Sequence, residues 1–185
     1  MFKGVIPAVR GPEHIQAVAA TGHPVVFLLA GEILDLQQQI ERLKTADKKI
    51  LVHFDLIAGL GRDEAAVRYV AAAGADGIVS SRTNIIKAAR EQGMLTVQRL
   101  FLLDSASVET GLRMVAGVKP DAVEILPGLV LPWVIGQLRQ QIKCTIIAGG
   151  LIKTVEDVNQ VLAAGAKAVS CSRAEIWRHF DKEVK

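Results

Sequence analysis

A chain of 185 residues, half of them hydrophobic, can bury a sizeable core and is sized for one domain, so residues 1–185 are expected to fold as a single unit. Its formal net charge of +3 permits an anionic ligand or a nucleic acid without demanding either, and with 4% aromatic residues no stacking surface for single-stranded bases is apparent. No apolar run is long enough to span a bilayer, the chain starts straight into a strand instead of a signal peptide, and Cys144 and Cys171 have neither metal nor redox-pair spacing, so a cytoplasmic protein is expected.

Short apolar runs rich in β-branched residues alternate along the chain with stretches of helical period. The first strand covers 4–8 and closes on Arg10, with a helix over 13–20. A second strand over 25–29 precedes an amphipathic helix over 33–43, and a third over 50–55 leads through Gly59-Leu60-Gly61 into a helix over 64–73. The fourth covers 77–80 with a helix over 83–91, the fifth 95–99 with a helix over 107–115, and the sixth 122–126 with a helix starting near Pro132. Thr145 to Ala148 make the seventh strand. Gly149-Gly150 breaks its pattern, Thr154 caps a helix carrying Val158, Val161 and Leu162, and Gly165 ends it. Ala168 to Cys171 form the eighth strand, and Ser172 to Glu175 read as a second capping box.

Eight strand–helix units, spaced about 22 residues apart with short loops, point to an α/β fold that closes as a compact (β/α)8 TIM barrel; an open doubly wound sheet is the alternative. An internal echo favours closure. Residues 72–82 align without gaps on 163–173, and the same offset pairs Gly59-Leu60 with Gly150-Leu151, so the unit around the third and fourth strands matches the unit around the seventh and eighth.

Two features of that last unit suit a phosphate. Gly149-Gly150 allows close backbone approach, and Ser172-Arg173 lies where a helix begins with free N–H groups. Barrels often hold a phosphate on the loops after strands seven and eight. Polar residues also interrupt strands that should be apolar: His53 and Asp55 on one face of the third, Gln98 and Arg99 ending the fifth, Glu124 in the sixth, and Arg10 after the first. Inward carboxylates at Asp55 and Glu124 could accept from ligand hydroxyls while Arg99 or Arg10 balances charge. Arg99–Glu124 and His53–Asp55 could equally be satisfied packing pairs.

A catalytic set is harder to assemble. His53-x-Asp55 is similar to the metal-binding strand of pentulose-phosphate epimerases, but the further inward His and the acid at the end of strand seven are missing, so no metal is expected. Lys153 lies beyond the Gly-Gly turn and not mid-strand, where a Schiff base would form. His14, His23 and His179 fall on helices or junctions and read as surface or packing residues.

The stretches 6–10, 52–61, 96–105, 124–128 and 147–154 together resemble the glycerol-3-phosphate-responsive antiterminators of bacterial glycerol-uptake operons, over nearly the whole chain. The resemblance implies a barrel that binds glycerol 3-phosphate as effector, with no cofactor, and then acts on leader mRNA to let transcription pass a terminator. Carried over by position, Gly149, Gly150, Ser172 and Arg173 are the expected phosphate clamp, and Asp55, Glu124, Arg99 and Arg10 meet the glycerol hydroxyls. His53 and Lys153 complete the expected ligand set. Ala58, where an acid is common, and Cys171-Ser172-Arg173, in place of a more polar run, depart from the pattern. RNA contacts are expected at Arg42, Lys44, Lys48 and Lys49 or at Arg139 and Lys143, clusters that also read as solvated faces. Two other functions stay open: an isomerase or epimerase of a small sugar phosphate using Asp55 as base and Glu124 as acid, and a metabolite sensor acting through a protein partner. A ligand-stabilised homodimer is a further possibility.

Overall fold

The computed structural model describes residues 1–181. Among them eight parallel strands close into a barrel: β1 Gly4–Val9, β2 Val25–Leu28, β3 Lys49–His53, β4 Gly77–Ser80, β5 Leu95–Phe101, β6 Ala122–Leu126, β7 Thr145–Gly149 and β8 Ala168–Cys171. Each strand pairs with its sequence neighbours, and β8 closes the ring by pairing with β1 from Gly4↔Ala168 to Pro7↔Cys171. The open-sheet alternative is excluded. A two-residue parallel pair, Gly31–Glu32 with Ile57–Ala58, lies outside the ring.

Among the described residues eight helices cover the outside: α1 Pro12–Ala19, α2 Ile33–Lys44, α3 Glu64–Ala72, α4 Thr83–Glu91, α5 Ser105–Val118, α6 Leu131–Gln141, α7 Val155–Ala164 and α8 Ala174–Asp181. None of them is long and apolar enough to cross a membrane. Capping explains where several begin. Thr154 and Asp157 cap each other's backbone at the start of α7, and Gly165 ends that helix at φ 121°, as expected. At α5 the cap is Asp104, whose carboxylate accepts from the Ser107 N–H at 2.7 Å, so the helix starts two residues before Ser107. The Ser172 box does not form. The Arg173 carbonyl accepts from Ile176 and Trp177, which makes Arg173 the cap and leaves the Ser172 side chain out of the helix start.

Strand alternation sorts the core into two parts. Val26, Leu28, Val52, Ile78, Val123 and Ile125 face the helices, while Phe27, Leu51, Val79, Val97, Ile147 and their neighbours fill the barrel. One interior layer takes Ile6, Leu51, Val97 and Ile147 from the odd strands. Two residues further along, the same strands contribute Ala8, His53, Arg99 and Gly149. Two large polar groups thus stand opposite an alanine and a glycine. That mismatch in size opens a cavity at the mouth, on the side of β6, β7, β8 and β1.

Candidate functional site

The cavity is about 120 Å³, and its walls are Ala8, Arg10, Leu29, Arg99, Glu124, Leu126, Gly150 to Ile152, and Ser170 to Ser172. This is well below the volume that encloses a drug-sized ligand, so it suits a molecule of few heavy atoms. Glu124 is its buried centre, 1% exposed. Arg99 Nε donates to one carboxylate oxygen at 2.7 Å and Ser170 Oγ donates to the other. Gly149 makes room for this arrangement: a Cβ there would lie 2.5 Å from both Glu124 Oε1 and Ser170 Oγ. The Arg99–Glu124 pair anticipated from sequence therefore forms, and it also lines the cavity. Ser170 was missed, although its place two residues after the inward Ala168 marks it as inward too.

Across from this pair the wall is main chain. Gly150 and Leu151 follow each other at φ 71° and φ 60°. Such angles cost a leucine energy, and strain of this kind collects at binding sites. Among the described residues, none accepts a hydrogen bond from the amides of Gly150, Leu151 or Ser172. Donors without acceptors at the lip of a cavity, beside the start of α8, favour an anion.

The internal repeat supplies a comparison within the chain. Ser81-Arg82 is the counterpart of Ser172-Arg173, and there too the arginine is the backbone cap of the following helix. At that corner an anion is already in place. The Asp55 carboxylate accepts from Ser80 Oγ at 2.9 Å, from the Ser81 N–H at 2.7 Å and from Ser81 Oγ at 3.0 Å, with Arg82 Nε at 3.4 Å. One corner of the barrel holds a carboxylate of the chain itself; the related corner opens onto the cavity.

The ten expected ligand residues divide accordingly. Gly149, Gly150, Ser172, Glu124, Arg99 and Arg10 line or directly back the cavity. Asp55 does not. β3 ends at His53, the chain turns through Phe54–Leu56, and the Asp55 carboxylate is spent on the β4–α4 corner instead of sharing a strand face with His53. Lys153 is exposed beyond the turn, with its N–H donated to Asp157 at 2.8 Å. Arg173 points to Glu175 at 3.2 Å, an exposed pair worth little. The described residues hold no group of three or more His, Cys, Asp or Glu side chains placed to share a metal ion.

His53 is buried with neither ring nitrogen hydrogen-bonded, so the expected bond to Asp55 is absent. Burial, with the nearby Arg99 charge, lowers its pKa from 6.5 to about 4. The imidazole is therefore neutral in the folded protein at neutral pH. Because the folded value is the lower one, the stability tied to this neutral ring is complete above pH 6.5 and is lost as pH falls from 6.5 toward 4. The loss amounts to about 3 kcal/mol, and His53→Gln should be spared it, which urea titrations of both proteins across that interval would measure.

Some residues of the expected RNA-contacting clusters are engaged by the protein itself, while Arg42 and Lys49 are exposed. Lys48 is buried and donates to the Thr21 carbonyl, Lys44 pairs with Asp76 at 2.6 Å, and Arg139 donates to the Gly165 carbonyl at 2.9 Å. Lys44 and Arg139 lie in the last turns of α2 and α6, where the helix dipole favours cations.

A family model described as "Glycerol-3-phosphate responsive antiterminator" matches residues 5–177. A curated relative, the uncharacterized protein YgcP of Escherichia coli K12, is 33% identical over 174 residues, which is 94% of this chain and 91% of YgcP. The crystal structure of a glycerol uptake operon antiterminator-related protein from Thermotoga maritima has a TM-score of 0.87 and 36% identity, covering 96% of this chain and 99% of that one. A glycerol uptake operon antiterminator regulatory protein from Listeria monocytogenes has a TM-score of 0.89 and 34% identity, with 95% of each chain covered.

Proposed function

The chain belongs to the glycerol-3-phosphate responsive antiterminator family, and from that premise we propose that it binds glycerol 3-phosphate in the barrel mouth and, once loaded, acts on leader RNA to let transcription pass a terminator. It works as a regulator and not as an enzyme. The observation that carries the reading is the run of unused main-chain donors at Gly150, Leu151 and Ser172 on the lip of a small cavity. A phosphate dianion takes those amides, helped by the start of α8 and by Arg10. The glycerol hydroxyls meet Arg99, Glu124 and Ser170, whose remaining hydrogen-bonding capacity faces the same space. A ligand held this way ties the β7–α7 and β8–α8 connections to β1, and so favours one arrangement of the mouth over others.

Calorimetry with glycerol 3-phosphate, glycerol and inorganic phosphate tests the first half. Glycerol 3-phosphate is expected to bind most tightly, since only it engages both the amides and the carboxylate. The same titration beside leader RNA tests the second, with RNA affinity rising with ligand and falling with salt. Absence of ligand heat, RNA binding indifferent to ligand, or solvent deuterium entering a sugar phosphate would each sink the reading.

A further inference from the structure

We propose that the rim of the barrel mouth is the RNA-contacting surface, with unpaired bases stacking on Trp133 and Phe101. The inference rests on the RNA reading above and adds the place of contact. Trp133, in the first turn of α6, is 80% exposed, and Phe101, at the end of β5, is 53% exposed. Leu103 on the β5–α5 connection is 83% exposed, and the exposed Leu151 lines the ligand cavity. These residues stand at or just after the ends of β5, β6 and β7, at the carboxyl end of the barrel. Large apolar groups left in water at one end of a molecule mark a contact surface.

The chemistry of the same rim selects the partner. Arg10 and Arg62, on the connections after β1 and β3, are exposed, and their guanidinium groups have no acceptor among the described residues. Of the acids on the same connections, Asp63 and Asp104 stay exposed but are engaged as helix caps, Asp63 accepting from the Ala66 N–H at 2.9 Å and Asp104 from the Ser107 N–H at 2.7 Å; Glu13 and Glu64 are exposed beside the two arginines. Flat aromatic faces after β5 and β6, with exposed guanidinium groups after β1 and β3 across the same mouth, suit unpaired bases joined by phosphates. The 4% aromatic content gave no sign of such a surface, because what matters is where the few aromatics stand. The proposal also accounts for control by ligand: glycerol 3-phosphate beneath Leu151 and Arg10 would adjust the rim that meets the RNA.

The two tryptophans provide the measurement, since Trp177 is 1% exposed and only Trp133 can be reached by a base. Titration with a randomised single-stranded RNA at low salt, with glycerol 3-phosphate present, is expected to quench the red-shifted emission of Trp133. Trp133→Ala and Phe101→Ala should each weaken RNA binding about 10-fold or more while glycerol 3-phosphate binds as before, and Trp133→Phe should retain most of the RNA affinity. RNA binding with unquenched emission and unchanged affinity in both alanine variants would overturn the surface and leave the functional reading standing. So would a dimer in light scattering that Trp133→Ala turns to monomer without touching RNA affinity. Wild-type protein that binds no RNA at all, with or without ligand, would fail the functional reading and this inference together.

Discussion

Glu124→Ala is expected to cost the fold about 3–5 kcal/mol and to remove glycerol 3-phosphate binding altogether. The cost is not the worth of the ion pair as such. Glu124 and Arg99 are both buried, and removing the carboxylate strands a guanidinium that cannot change its protonation state. Ser170 Oγ loses its acceptor at the same time, and Gly149 is left facing a hole that its missing side chain had kept open for the carboxylate. A double variant separates stability from function. Arg99→Met with Glu124→Leu replaces the pair by apolar side chains of similar size, and such replacements are often neutral or stabilising. It should recover most of the stability in urea denaturation and none of the ligand affinity. If Glu124→Ala unfolds at the wild-type midpoint, the pair is not the buried anchor of the site.

The barrel itself was legible in sequence, because eight apolar β-branched runs at even spacing leave few other ways to bury their faces. The repeat around Ser81-Arg82 and Ser172-Arg173 was legible too, and it aligned two corners that prove to be built alike. What could not be read is which corner would be open. That depends on where β3 stops: had the strand run two residues further, Asp55 would stand inward beside His53, but the turn at Phe54 hands its carboxylate to Ser80 and Ser81 instead. Ser172 misled for a similar reason. A serine followed three residues later by an acid has the pattern of a capping box, yet the Arg173 carbonyl begins α8 and frees the serine for the cavity. Lys48 looked like a surface charge within a basic cluster, and only the packing of the α2–β3 connection shows that its amine is buried against the Thr21 carbonyl. For Asp55 and Lys48 the residue type was visible, but its direction was set by contacts distant in the chain.

Gly150→Val should weaken glycerol 3-phosphate about 100-fold or more while lowering stability by about 2 kcal/mol, and the two effects have separate causes. The stability loss comes from the backbone. Gly150 sits at φ 71°, which a β-branched residue adopts only under strain, and its Cβ would lie 3.2 Å from Leu126 Cδ2 on the wall of the cavity. The affinity loss comes from the donors. A chain that relaxes away from φ 71° turns the Gly150 and Leu151 amides from the lip, and each hydrogen bond to a charged group forfeits about 1.5–3 kcal/mol. Gly150→Ala should fall between valine and wild type on both scales, because its strain is smaller and its methyl group shorter. Calorimetry with glycerol 3-phosphate at a temperature where all three proteins are folded reads the affinities, and urea midpoints read the stabilities. Inorganic phosphate should lose affinity along with glycerol 3-phosphate if, as proposed, the amides take the phosphate and not the polyol. Valine and wild type binding glycerol 3-phosphate equally well would mean that the anion sits elsewhere.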